Sequence, residues 1–191
     1  LQKISDSYRP YSVSDLANRL RREFGGKYQV TQTQNFLVVH PPGNANSWSK
    51  PFQDLYWRFE LYFKSRGLKV NKPEFPMIAV VLKTRKEFDY FLKNYQSYDP
   101  KILGYYSATS NRIITYDQSP KGSSSRSPDW LANNSTLIHE ATHQTAFNTG
   151  IHNRFAPEPR WISEGMAMMF EAPGVNNSAY YSKRSDRINA D

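Results

Sequence analysis

The first sixty-five residues alternate between helical and strand-like spacing of apolar side chains. Residues 12–24 carry them every three or four positions, which predicts an amphipathic helix that ends at Gly25 and Gly26. The short segments 28–33 and 35–40 predict two strands joined by a tight turn. Residues 49–65 predict a longer helix with one apolar face, which we expect to lie in the core. That face consists of Phe52, Leu55, Tyr56, Phe59, Tyr62 and Phe63.

Strands and helices continue to alternate over the next fifty residues. Residues 77–82 form an apolar run that predicts a buried strand, and residues 84–94 predict a helix with Thr84 as its N-cap. Two further strands are predicted at 104–108 and 112–116. This succession of helices and hairpins favours an α+β fold over a doubly wound sheet.

The length and composition limit both the fold and the chemistry. A chain of 191 residues is expected to form one domain, 1–191, with an N-terminal α/β part (1–100) and a second part (101–191), and it is possible that it is a piece of a longer chain. There is no cysteine, which excludes disulfides, thiol catalysis and cysteine-based metal sites. The longest strongly apolar run, 75–82, is too short to cross a bilayer, so no membrane span is expected.

The chain is basic, with 25 Lys and Arg against 17 Asp and Glu and a net charge of +8. Such a charge can attract nucleic acid, an anionic surface or an acidic substrate. The basic residues are scattered, however, and neither a zinc finger nor an aromatic-basic RNA-binding pattern is present. We therefore expect no nucleic-acid partner.

Residues 135–149 predict another helix, and this helix carries the candidate chemistry. Asn134 or Ser135 can cap its start, and Gly150 can adopt the left-handed backbone conformation that ends many helices. The helix contains two of the four histidines of the chain.

His139 and His143 are four residues apart, so their imidazoles project from the same helix face and can reach one metal ion. Glu140 follows the first histidine, about 100° around the helix, where it can accept a proton from a metal-activated water without ligating the metal. His-Glu-x-x-His is the pattern of zinc proteases. The sequence therefore predicts a Zn²⁺ site with His139 and His143 as ligands.

A catalytic zinc needs a third protein ligand, and three residues qualify. His152 lies just past the expected helix end, and Glu158 lies between two prolines. Glu164 lies on a second predicted helix, 161–171, about twenty residues after His143, and a carboxylate among apolar neighbours is costly unless it is paired or bound to metal. Glu164 is the preferred candidate.

Two small residues of this second helix, Gly165 and Ala167, are expected to allow close packing against the first helix. Glu171 lies two turns beyond Glu164, about 10 Å along the axis, which places it outside the same coordination sphere.

The two segments together resemble a known family of enzymes. His139-Glu140-x-x-His143-Gln144, followed by Trp161-Ile162-Ser163-Glu164-Gly165-Met166-Ala167, is similar to the gluzincin metallopeptidases. The fuller string through Gly150 resembles a bacterial family with peptidase character known as a domain of unknown function (DUF1570). The resemblance covers roughly residues 135–172.

This resemblance implies a zincin-like fold, with a mixed or antiparallel sheet and two metal-site helices. It implies His139, His143 and Glu164 as zinc ligands and Glu140 as general base. Met168 stands where the thermolysin-like branch has an Asp that supports a ligating histidine, so that support is expected from Asn148 or a backbone carbonyl. The family context also suggests a secreted or periplasmic location.

The expected function is hydrolysis of peptide or protein substrates, more specifically as an endopeptidase, through a metal-activated water with Glu140 as general base. An oxyanion donor is expected from Tyr180, Tyr181 or His152. The substrate is expected to add as a strand to an exposed edge formed by Arg112, Ile113, Ile114, Thr115 and Tyr116. The alternative is a catalytically inactive module of the same fold that holds zinc and binds a partner.

Overall fold

The structure, a computed structural model, describes residues 11–43, 45–95, 100–118, 128–153, 158–172 and 175. These residues form five α-helices, one short 3-10 helix (Gly25–Lys27) and five strands. In chain order the other elements are α1 (Val13–Phe24), β1 (Gln29–Gln32), β2 (Phe36–His40), α2 (Ala45–Lys64), β3 (Met77–Leu82), α3 (Arg85–Tyr95), β4 (Gly104–Ser107), β5 (Arg112–Tyr116), α4 (Pro128–Thr149) and α5 (Arg160–Glu171).

The five strands form one mixed sheet in the order β1-β2-β3-β5-β4. The β1–β2 and β4–β5 pairs are antiparallel, whereas β2–β3 and β3–β5 are parallel. The prediction of an α+β fold with a mixed sheet is therefore confirmed. None of the described helices combines the length and the apolar character needed to cross a bilayer.

Side chains from alternate positions of β2 enter two different cores, so the sheet is covered on both faces. Phe36 and Val38 pack with α2, α4 and α5, while Leu37 and Val39 pack with α1 and α3. The aromatic face of α2 lies in the first core, as the sequence predicted; its fully buried members include Phe59.

The predicted helix starts are confirmed for α1 and α3. Ser12 caps α1 by accepting a hydrogen bond from Asp15 N at 3.1 Å. Thr84 caps α3 in the same way through Glu87 N at 3.2 Å, but the Glu87 carboxylate accepts from Lys83 N rather than from Thr84 N. A capping box, in which the Glu87 carboxylate would also accept from the N-cap N–H, is therefore only half formed.

Two helices begin earlier than the sequence predicted. α2 starts at Ala45 and has Pro51 inside it, and α4 starts at Pro128. Proline is well suited to the first position of a helix because the missing N–H would have no partner there. Ser135, predicted as an N-cap, therefore lies inside α4, which ends as predicted with Gly150 at φ 78°.

The predicted substrate edge is wrong. Residues 112–116 pair with β3, and residues 112–115 also pair with β4, so β5 is an interior strand of the sheet. The edge on this side is β4, Gly104–Ser107. In the β4–β5 hairpin it is the second strand, β5, that pairs with β3. This is because β5 carries the more deeply buried apolar residues, Ile113 and Ile114.

Candidate metal centre

Helices α4 and α5 lie side by side and run in opposite directions. Their polar contacts occur in reversed order along the two helices: Ser135 contacts Glu171, and His143 contacts Glu164. Because the turns facing each other carry histidines on one helix and carboxylates on the other, this packing assembles the candidate site.

His139, His143 and Glu164 come together as a group that could hold a metal ion. The Nε2 atoms of the two histidines are 3.2 Å apart. Glu164 Oε2 lies 3.3 Å from His139 Nε2 and 3.7 Å from His143 Nε2. Two ligands of a tetrahedral Zn²⁺ are separated by about 3.3 Å, given the usual zinc–ligand bond lengths. The spacing and the donor types both fit zinc.

Glu171 supports the first histidine from the side opposite the triad. Its Oε1 is 2.6 Å from His139 Nδ1, its Oε2 accepts from Ser135 Oγ at 2.8 Å, and its side chain is only 1% exposed. With Nδ1 donating to Glu171, the neutral ring presents the lone pair of Nε2 to the triad. The prediction that Asn148 supplies this support is wrong.

The two histidines have different protonation preferences. Burial disfavours the charged form of His139, but the hydrogen bond to Glu171 and the charges of Glu140, Glu171 and Glu164 outweigh it and raise the pKa of His139. Burial and the neighbouring His139 lower the pKa of His143 to about 4. His143 is therefore the less basic of the two rings, and His139 the more basic one.

Glu140 lies next to the triad without joining it. Its side chain packs against the first residue of β4, because a Cβ added to Gly104 would be 3.0 Å from Glu140 Cγ and 3.5 Å from its Oε1. The same Cβ would be 2.7 Å from Thr136 Cγ2. Only glycine fits this close approach, which brings the edge strand β4 against the Glu140 side chain.

The polar face of α4 that lies opposite His139 and His143 is hydrogen-bonded to the sheet and to the β4–β5 turn. Gln144, which follows His143, donates to Ile78 O at 3.1 Å and to Asn111 O at 2.6 Å. Asn148 exchanges hydrogen bonds with the Asn111 side chain in both directions, each 2.8 Å. These contacts occupy Asn148 and set the rotation of α4 about its axis.

The remaining predicted site residues have other surroundings. His152 is buried, and its Nδ1 is 2.6 Å from Glu158 Oε2, so these two alternative ligands contact each other and do not belong to the triad. Tyr180 and Tyr181 lie outside the described residues. Gly165 is exposed, and nothing lies within 4 Å of a Cβ added to it. Of the two small residues expected to allow close helix packing, only Ala167 is buried.

Sequence reasoning missed Glu171, Ser135 and Gly104 as parts of the site. Glu171 follows Glu164 by seven residues, which places both on one face of α5 two turns apart. That spacing was available in the sequence. The role of Gly104 depends on how closely β4 approaches α4, which no local pattern reports.

The end of the chain that holds the ligands matches a known family. Residues 133–191 match the family described as "Protein of unknown function (DUF1570)". The resemblance to DUF1570 is confirmed over this segment, which contains His139, His143 and Glu164. No curated protein matches the chain.

Proposed function

We propose that the protein is a zinc-dependent peptidase of the gluzincin type with a zincin-like arrangement of its site. The observation that carries the proposal is the triad of His139, His143 and Glu164, with donor atoms 3.2 to 3.7 Å apart and Glu140 beside it. The His-Glu-x-x-His order of the three α4 residues supports hydrolysis rather than metal storage alone.

His139, His143 and Glu164 would hold the metal. A zinc ion in such a site supplies Lewis acidity, which acidifies a water molecule and polarises a carbonyl group. Glu171 keeps Nε2 of His139 free for the ligand role, because it binds Nδ1.

Glu140 is the proposed general base. Its carboxylate is held on the same turn of α4 as His139 but outside the triad, where it can accept a proton from water and return it to the leaving amine. The close approach of Gly104 to the Glu140 side chain supports a place for this base next to the edge strand. Moving a proton at this position is the step that the chain itself performs.

The edge strand β4 is the proposed docking surface for the substrate backbone, in place of the β5 edge expected from the sequence. An extended peptide can pair with the main chain of an edge strand and so bind with little dependence on its side chains. Because Gly104 contacts Glu140, a peptide paired with β4 would pass the general base. This geometry supports an endopeptidase acting on extended segments.

The test of the proposal is a comparison of two variants in zinc content and in cleavage of an unfolded protein. Glu140→Gln is expected to keep one zinc per chain and lose at least about 100-fold in rate, the usual share of a general base. Glu164→Gln, which leaves His139 and His143 as the remaining ligands of the group, is expected to bind zinc much more weakly and to lose activity. Glu74→Gln, at an exposed position away from the site, controls for the loss of one carboxylate.

The outcomes separate this proposal from its alternative. If zinc binds to the wild type and no unfolded protein or peptide library is cleaved, the peptidase proposal fails, and a zinc-holding binding module is the better description. Cleavage by Glu140→Gln at the wild-type rate would show that Glu140 is not the general base.

A further inference from the structure

The connection between the two metal-site helices contains a second, buried polar pair. His152 Nδ1 and Glu158 Oε2 are 2.6 Å apart, and the side chains are 2% and 25% exposed. Both ring nitrogens of His152 and the Oε2 of Glu158 are shielded from solvent and have no well-angled hydrogen bond within the described residues. Groups buried in this way are costly unless they compensate each other, so the ring and the carboxylate depend on their mutual contact.

His152 is fixed to the end of α4. Its backbone N–H donates to Ala146 O at 3.0 Å, and its ring lies 5.5 Å from the ring of Phe147. Phe147 follows His143 by one helical turn, so it lies on the face that carries the metal ligands. The position of the His152 ring is therefore set by the same helix that places the two histidines of the triad.

Glu158 leads directly into α5. It precedes Pro159, the N-cap residue, and among the described residues no side chain caps the first turn of this helix. Because proline fixes its own φ, a restraint on Glu158 is passed on to the start of the helix at Arg160. Glu164 follows on the second turn.

Polar contacts thus restrain α5 relative to α4 at both ends of α5. The Glu171 contact with His139 restrains the far end of α5, and the Glu158 contact with His152 restrains its start. Ligands of a metal site must be held to within a fraction of an ångström, which requires their supporting elements to be fixed.

We propose that His152 and Glu158 form a positioning pair that sets the start of α5 and so holds Glu164 at ligand distance from His139 and His143. This inference rests on the proposed metal site but not on hydrolysis. The pair acts through Glu164, so its effect on metal affinity must disappear when Glu164 can no longer bind the metal.

The test is a double-mutant cycle on zinc affinity, measured with purified protein by competition with a chromophoric chelator. Glu158→Gln alone is expected to weaken zinc binding by about 10-fold or more, as loss of an outer support does at metal sites. In a Glu164→Gln background the same change is expected to alter affinity less than about twofold, because coupled residues are not additive. Glu74→Gln is the matched control and is expected to change neither value.

A pair of substitutions at His152 keeps the test decisive if Glu158→Gln folds poorly. His152→Asn retains an amide nitrogen near the position of Nδ1 and is expected to keep most of the zinc affinity. His152→Ala is expected to weaken zinc binding by about as much as Glu158→Gln does. The melting temperature of each variant, measured without added metal, reports any general loss of stability. Such a loss alone would weaken zinc binding equally with Glu164 present and in the Glu164→Gln background.

The proposal is overturned if Glu158→Gln leaves zinc affinity unchanged, or if it lowers affinity by the same factor with and without Glu164. It is also overturned if the wild type takes up no zinc, and then the metal site falls with it. If the cycle behaves as expected and the wild type cleaves no peptide, the positioning role stands and only the peptidase proposal fails.

Discussion

Glu171 and His139 form a buried carboxylate–imidazole contact of 2.6 Å across the two helices of the candidate site. The carboxylate is also held by Ser135, so its orientation is fixed from two sides. The helix that carries the candidate ligand Glu164 therefore also fixes the ring of His139, the first of the two candidate histidine ligands. Such an outer partner sets the tautomer of a ligating histidine and makes it a better donor.

Replacing Glu171 with Gln should weaken zinc binding by about 10- to 100-fold, the usual effect of losing such a partner. Gln can still accept from Nδ1, but it has no negative charge to offset the charge of the metal. Ser135→Ala removes one hydrogen bond to the same carboxylate and should have a smaller effect. Chelator competition measures both, and an unchanged affinity in Glu171→Gln would contradict the supporting role.

Gly104→Ala should disturb the site through packing alone. The new Cβ would meet Thr136 Cγ2 at 2.7 Å and Glu140 Cγ at 3.0 Å, and overpacking of this kind costs about 1 to 3 kcal/mol. We expect a lower melting temperature and, because Glu140 must move, slower hydrolysis. Thermal unfolding and the rate of peptide cleavage measure the two effects.

Two further variants separate this clash from a general effect of replacing glycine. Thr136→Ser removes Cγ2 and should restore part of the stability lost in Gly104→Ala. Gly165→Ala places a methyl group where nothing lies within 4 Å, inside a helix, and should stabilise by about 0.4 to 1 kcal/mol. If Gly104→Ala is as harmless as Gly165→Ala, β4 does not approach α4 as closely as described.

The elements that sequence analysis predicted well are those with a strong local pattern. The strands β3 and β5 have the predicted bounds because β3 is an uninterrupted apolar run and β5 is a short segment rich in β-branched residues. α4 starts seven residues earlier than predicted, because Asn134 and Ser135 look like capping residues to local rules although the helix continues through them. Cap preferences identify where a helix can start, and packing decides where it does.

The edge strand shows a different limit. A hairpin such as β4–β5 can enter a sheet with either strand, and only pairing with β3, some thirty residues away in sequence, decides which one lies inside. At the candidate metal site, by contrast, fixed helical spacing identifies His139 and His143 without knowledge of the fold, and the resemblance to gluzincins adds Glu164. Residues that act by contact between elements, such as Gly104 and His152, have no such pattern.

Gln144→Met should lower the free energy of unfolding by about 2 to 4 kcal/mol. The buried amide donates to Ile78 O and Asn111 O, and a methionine of similar size would leave both carbonyl oxygens without this donor. Each buried acceptor left unsatisfied costs about 1 to 3 kcal/mol, and part of the sum is offset because the substitution also removes Gln144 Oε1, which is buried without a hydrogen bond among the described residues. Urea denaturation measures the loss, and Gln32→Met, on an exposed position of β1, should change stability by less than about 0.5 kcal/mol. Equal stability of the two variants would contradict the role of Gln144 as an anchor.

Tyr28 should make the stability of the protein depend on pH in the alkaline range. Burial of the phenol and its hydrogen bond to Glu87, 2.7 Å long, raise the pKa of Tyr28 from 10.0 to about 12. A pKa that is higher in the folded than in the unfolded state means that the protonated phenol favours folding below pH 10 and that this contribution is lost as the pH rises toward 12. The difference in unfolding free energy between the wild type and Tyr28→Phe should therefore shrink steadily over that interval. Denaturant titrations at a series of pH values measure it, with Tyr90→Phe, whose ring is 72% exposed, as the control for losing one phenol. A difference that stays constant from about pH 8 to 12 would show that the Tyr28 phenol titrates alike in the folded and unfolded chains.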